Sequence, residues 1–276
     1  MARETADAAV TLSESDGVRF LHFGTEWVQG AMQIRRPYRL ELEYQQQMMA
    51  PLLFVPQPAE ILQLGLGAAA LTKFCHRHLR GSRIVAVELS PRVIEVARHW
   101  FALPPDDARL CVVRADAGRF LRAAARAAAA GAAATAPART LPGADWLQVD
   151  LYDAQARGPV LDDVAFYRDC RRVLRAGGVA AFNLFGSTLQ PSLVRLRQAF
   201  GTDWLRLPRS AAGNTVVLAF AAGPAQWDAP MLLQRAGQLE QRYGLPFADW
   251  LAGMRTATAR RFMPGTAGLV RLAVPR

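Results

Sequence analysis

Residues 60–91 read Glu60-Ile-Leu-Gln-Leu-Gly65-Leu-Gly67-Ala-Ala-Ala70-Leu, a further amphipathic stretch, and then Arg83-Ile-Val-Ala-Val-Glu88-Leu-Ser-Pro91. This is a strand, a tight glycine turn, a helix and a second strand that ends in an acid. The order sets a helix N-terminus beside a carboxylate, an arrangement that suits an adenosine-type ligand. Gly65 lets the chain turn sharply, Gly67 lets the backbone approach a ligand with no Cβ in the way, and Ala70 lets helix and strand pack closely. Glu88 follows Gly67 by 21 positions and is placed to accept hydrogen bonds from ribose hydroxyls.

Downstream of this unit the rhythm repeats: helix 91–102, strand 109–115, helix 117–130, strand 144–150, helix 162–175, strand 178–184 and helix 189–200. Strands separated by helices predict a parallel sheet covered on both faces. The rhythm then breaks, because Asp203-Trp-Leu-Arg-Leu and Gly213-Asn-Thr-Val-Val-Leu-Ala-Phe-Ala read as two strands with no helix between them. The expected fold class is therefore α/β and Rossmann-like, a mostly parallel sheet closed by an antiparallel hairpin. AdoMet-dependent transferases are built this way, whereas dinucleotide dehydrogenases keep alternating, so a sulfonium nucleoside is favoured over NAD. Upstream, residues 18–34 alternate around a Gly-Thr turn and predict a small N-terminal β-hairpin, followed by a helix over about 39–53. Residues 226–251 predict two helices and 255–276 an irregular tail. These readings divide the chain into an N-terminal hairpin-and-helix region (1–56), a nucleoside-binding α/β domain (57–225) and a C-terminal helical extension (226–276). The alanine-rich run 122–139 extends the helix from 117 until Gly131 and Pro137 end it in a flexible loop, and no chemistry is assigned to it.

Half of the 276 residues are apolar, ample for a packed core. Cys75, Cys111 and Cys170 are widely spaced, which predicts neither a disulfide framework nor a zinc site, and no metal is expected. A reducing, cytoplasmic setting fits. Residues 1–7 lack the apolar core of a signal peptide, and no uninterrupted apolar run approaches a membrane span. The formal net charge of +10 invites a nucleic-acid reading. Against it, Lys73 is the only lysine among 33 basic residues, and the arginines are scattered without interleaved aromatics. Nucleic acid is not the expected partner, and nothing in the sequence excludes a homodimer.

With these elements in view, the chain resembles the spermidine synthase (polyamine aminopropyltransferase) family over roughly residues 18–222. The resemblance runs through Val28-Gln-Gly-Ala-Met-Gln33, Leu64-Gly-Leu-Gly67, Val85-Ala-Val-Glu88, Arg114-Ala-Asp-Ala-Gly118 and Gln148-Val-Asp-Leu-Tyr-Asp153. It implies a donor, decarboxylated S-adenosylmethionine, whose aminopropyl group passes to a small-molecule amine. By the same resemblance, Asp150 takes the proton from the attacking amine, and Asp153 holds the amine with Tyr152 and Gln29 beside it. Asp116, with Ala117, meets the adenine, and Gln33 contacts the nucleoside from the hairpin. Chemistry agrees with the roles given to the carboxylates, since an alkylammonium becomes a nucleophile only after losing a proton. Asp116 also has a plain structural use as the N-cap of the helix that starts at Ala117.

Three departures bear on substrate choice. The family's glycine-rich turn carries an aspartate facing the donor's terminal group, and Ala68 stands there instead. The acceptor-side run Tyr-x-Glu-Met is only loosely matched by Tyr44-Gln-Gln-Gln-Met-Met49, and Gln29 occupies a position where an acid is common. The leading expectation is an aminopropyl transferase. The alternatives are a methyltransferase using intact S-adenosylmethionine on the same scaffold, and a non-catalytic nucleoside-binding or interaction protein.

Overall fold

The computed structural model describes residues 10–130, 141, 143–153, 158–221, 227–258, 260 and 262. Three strands open the chain, β1 (Val10–Ser15), β2 (Val18–Phe23) and β3 (Gly30–Gln33), in one antiparallel sheet of that order. The expected hairpin is thus β2–β3, and a third strand, β1, pairs along β2 from Val10↔Phe23 to Ser15↔Val18. Where one helix was expected over 39–53, α1 (Glu43–Gln47) is followed by a separate 3₁₀ turn, Ala50–Leu53. Pro51 accounts for the break, because it has no N–H to continue the helical ladder.

The α/β part then unrolls as β4 (Glu60–Leu64), α2 (Ala70–His78), β5 (Arg83–Glu88), α3 (Pro91–Trp100), β6 (Leu110–Arg114), α4 (Ala117–Ala129), β7 (Ala144–Val149), α5 (Val164–Val173), β8 (Leu174–Phe185) and α6 (Leu189–Phe200). It finishes with β9 (Trp204–Arg206), β10 (Asn214–Phe220), α7 (Ala229–Tyr243), α8 (Phe247–Gly253) and β11 (Arg255–Thr256). Eight strands form the main sheet in the order β11-β9-β10-β8-β7-β4-β5-β6. β8, β7, β4, β5 and β6 run parallel, and β10, β9 and β11 close one edge antiparallel. Residues 255–256 are therefore a short edge strand where an irregular tail was expected, while 263–276 lie outside the described residues. The end of the alanine-rich run, 131–139, and residues 1–7 also lie outside them.

Period-2 alternation distributes the strands between two cores. Along β10, Val216, Leu218 and Phe220 face the layer of α2, α7, α8 and the 3₁₀ turn, while Val217 and Ala219 face α4, α5 and α6. Helix α2 brings Lys73 into the first layer. Its Nζ donates to the Phe101 carbonyl at the end of α3 at 2.6 Å, with the residue 1 % exposed, and burial pulls its pKa down to about 7. The parallel strand order reverses between β4 and β7, so their carboxyl ends part to leave a crevice. Among the described residues, no helix is long and apolar enough to cross a membrane.

Candidate active site

The crevice between β4 and β7 begins at Gly65, which has φ +94°, and whose position a Cβ could not share with the Asp150 carbonyl oxygen. Asp150 N–H donates to the Leu64 carbonyl at 3.0 Å and Gly65 N–H to the Val87 carbonyl at 2.9 Å, so the three loops after β4, β5 and β7 are tied together. Above them lies a cavity of about 680 Å³, within the range of small-molecule sites. Its floor is Gly65–Gly67, Glu88, Asp116, Ala117, Asp150 and Tyr152. Its roof is Trp27, Gln29, Glu43 and Tyr44, supplied by the β2–β3 connection and α1.

Glu88 ends β5 with both carboxyl oxygens engaged by backbone: Oε2 accepts from Leu66 N–H at 3.1 Å and Oε1 from Ser90 N–H at 2.9 Å. The acid therefore holds the glycine turn in place. Burial raises its pKa, against the pull of these backbone bonds. Asp116 caps α4 by accepting from Arg119 N–H at 2.8 Å and also lines the cavity.

Asp150 is held from two sides. Oδ1 accepts from Asn183 Nδ2 at 2.9 Å and Oδ2 from the Tyr44 hydroxyl at 3.2 Å. Burial lifts its pKa above the ordinary aspartate range, opposed by the bonds from Asn183 and Tyr44. Tyr44 itself is raised well above an ordinary phenol by burial and by the neighbouring Asp150 charge, so it remains a donor. Asn183 is fixed in turn: its Oδ1 accepts from Asn214 Nδ2 at 3.0 Å and its carbonyl from the Tyr152 hydroxyl at 2.9 Å. With Oδ1 so occupied, its amide nitrogen is the end that faces Asp150.

Asn183, Asn214 and Glu43 were not singled out in the sequence, and Tyr44 entered only as a loose match. A polar residue closing the apolar run Val179–Phe182 on β8 was the one available signal for Asn183. Asp153 is not among the lining residues. Its carbonyl accepts from Gln29 Nε2 at 3.1 Å, so it stands next to the cavity through Gln29. Gln33, at the end of β3, also does not line the cavity. Ala68 departs most from expectation. It is 2 % exposed and packs with Leu21, Met32 and Phe101 beneath Gly30, because the turn directs its Cβ toward the N-terminal sheet.

Among the described residues lining the cavity there are five carboxylates, Glu26, Glu43, Glu88, Asp116 and Asp150, and no Lys, Arg or His. Aromatic and aliphatic walls, Trp27, Phe185 and Leu161 among them, complete it. In a chain of net charge +10 such a lining favours cationic ligands with an apolar body. Among the described residues no group of His, Cys, Asp and Glu is arranged to hold a metal ion.

The chain is 33% identical over 246 residues to a polyamine aminopropyltransferase of Chromobacterium violaceum, covering 88% of this chain and 87% of the relative. It superimposes on a probable spermidine synthase from Corynebacterium glutamicum with a TM-score of 0.68, at 19% identity, over 98% of this chain and 96% of that one. Human methyltransferase-like protein 13, in complex with SAH, matches with a TM-score of 0.59 at 25% identity, over 74% of this chain and 93% of that one. No family model matches the chain.

Proposed function

The chain belongs to the polyamine aminopropyltransferase family and is a transferase, and from that premise we propose that it moves the aminopropyl group of decarboxylated S-adenosylmethionine onto an amine held in the acidic cavity. The observation that carries this reading is the lining itself, five carboxylates with no basic side chain among the described residues. Both substrates are cations, one a sulfonium with a terminal ammonium and the other an alkylammonium. In this reading Glu88 receives the ribose hydroxyls, the Gly65–Gly67 turn lies along the nucleoside, and Asp116 with Ala117 meets the adenine.

Asp150 is assigned the proton. The amine nitrogen attacks the methylene beside the sulfonium, a C–N bond forms as the C–S bond breaks, and the electron pair goes to sulfur. 5′-Methylthioadenosine departs as a neutral thioether, and the proton lost by the nitrogen passes to Asp150. The raised pKa of Asp150 makes it a stronger base than a free aspartate, while Tyr44 and Asn183 aim its oxygens. Tyr152 and Gln29 border the acceptor end, and Asp153 supports Gln29.

Methyl transfer from intact S-adenosylmethionine is the second reading, favoured by the likeness to methyltransferase-like protein 13 and by the absence of an acid in the turn Gly65–Ala70. The lining argues against it, because the intact donor would bring its own carboxylate among five others. Titration calorimetry with both donors, followed by product analysis with a panel of diamines, separates the readings. Preference for the decarboxylated donor with release of 5′-methylthioadenosine supports aminopropyl transfer. Preference for the intact donor with release of its demethylated product supports methyl transfer, and heat from neither leaves only the non-catalytic alternative.

A further inference from the structure

A second concavity, of about 630 Å³, has the opposite electrical character. It lies between the 35–40 connection, Gln46 of α1, the end of α2 and the turn after α7 at Tyr243–Leu245. Arg35, Arg36 and Arg39 line it, and among the described residues no Asp or Glu does. All three guanidiniums belong to exposed residues, and among the described residues none of them has an acidic partner. Elsewhere arginines are neutralised directly, Arg98 by Asp106 at 2.7 Å and Arg195 by Asp162 at 2.6 Å. Three like charges left unpaired beside a concave surface raise the potential there and draw anions into it.

Beneath the cations is a floor of rings. Phe74, His78 and Tyr243 pack on one another with centroids 4.5, 5.5 and 5.6 Å apart. Two further guanidiniums stack at the margin, Arg77 over Tyr38 at 5.5 Å and Arg242 over Tyr243 at 5.2 Å. Burial, then Arg77 and Arg242, hold His78 below its ordinary pKa, which keeps a neutral ring in this floor. Guanidiniums suited to bidentate phosphate contacts above flat apolar surface make a site for an anion attached to a planar ring.

We propose that this groove binds a nucleotide, its phosphates on Arg35, Arg36 and Arg39 and its base stacked in line with the Arg77–Tyr38 and Arg242–Tyr243 pairs, whose guanidiniums each cover one ring face only. The volume is that of a single small ligand. A bound nucleic-acid strand would instead require a basic track spanning several successive phosphates with a stacking ring for each base. The site is independent of the acidic cavity, whose carboxylates oppose phosphates.

Calorimetric titration of the full-length protein with ATP, adenosine and inorganic tripolyphosphate, the acidic cavity first saturated by 5′-methylthioadenosine, tests it. ATP should bind at least about tenfold more tightly than either adenosine or tripolyphosphate, since each of these lacks one half of the contacts. A triple variant Arg35→Gln/Arg36→Gln/Arg39→Gln, checked by thermal melting, should weaken ATP by about tenfold or more, whereas Arg98→Gln, which removes a guanidinium paired with Asp106 outside the groove, should leave ATP affinity unchanged. Tyr38→Ala should weaken ATP and spare tripolyphosphate. Absence of saturable ATP binding, equal affinity in the folded triple variant, or a single-stranded oligonucleotide that binds far more tightly than ATP and displaces it would each overturn the proposal.

Discussion

Replacing Tyr44 by Phe removes one hydroxyl and leaves the ring that roofs the cavity. The bond lost runs from the phenol to Asp150 Oδ2 at 3.2 Å. Hydrogen bonds from neutral donors to a carboxylate contribute about 1.5–3 kcal/mol, and the long distance places this one at the lower end. That bond favours the ionised form of Asp150, so its removal lifts an already raised pKa further, by about one unit at 1.36 kcal/mol per unit. Protonated Asp150 cannot accept the proton of the amine, so activity is lost as pH falls through this pKa. The acid limb of kcat/KM should therefore move upward by about one pH unit in Tyr44→Phe, while the rate on the alkaline side changes by less than about tenfold. The assay is release of 5′-methylthioadenosine across about pH 5–9, with the fold checked by circular dichroism. Coincident acid limbs would show that Tyr44 does not tune Asp150. A loss of several hundredfold at every pH would show that the hydroxyl acts on the substrate instead.

Asp150→Asn keeps the shape of the base but cannot take a proton, and should lower kcat by about 10² to 10⁴ while donor affinity, read by calorimetry, stays within a few-fold. Full turnover in this variant would remove Asp150 from the mechanism. Glu88→Gln presents an amide nitrogen to backbone N–H groups that the carboxylate now serves, so it should weaken nucleoside binding by about 1–3 kcal/mol and loosen the glycine turn together; unaltered affinity would mean that the ribose is held elsewhere. Ala68→Asp would put a carboxylate without a partner among Leu21, Met32 and Phe101, at a cost of about 3–5 kcal/mol at neutral pH. Because burial raises such an acid's folded pKa above its unfolded one, part of the stability should return as pH falls and the group is protonated. A native melting temperature combined with a new donor preference would instead put residue 68 in contact with the donor.

The sequence disclosed what depends on short-range order. Strand, glycine turn, helix, strand and acid follow one another between Glu60 and Glu88, so both the sheet and the position of Glu88 could be read from spacing. The edge hairpin was readable because two strands followed α6 with no helix between them. β1 escaped notice because its Ser-rich, exposed run Val10–Ser15 lies on the rim of a small sheet and shows little apolar alternation. The remaining surprises are matters of direction. Tyr44 reaches Asp150 across 106 positions and Asn183 across 33, and no local pattern announces either contact. Ala68 sits in the expected turn, yet its orientation was fixed by Gly30, which belongs to a different sheet.

Lys73 gives the molecule an unusual chemical handle. It is the sole lysine side chain of the sequence, it is sealed between α2 and the end of α3, and with a pKa near 7 its amine is largely uncharged in mildly alkaline buffer. The uncharged amine is the nucleophile in acylation, and because burial alone lowers its pKa, an opening that admits the reagent also returns the amine toward the ordinary lysine range, so access and protonation act in sequence. Acylation of Lys73, followed by mass spectrometry of the peptide that carries it, should therefore track how often this layer opens and quicken as pH rises, reporting the separation of α2 from α3 with no probe engineered into the chain.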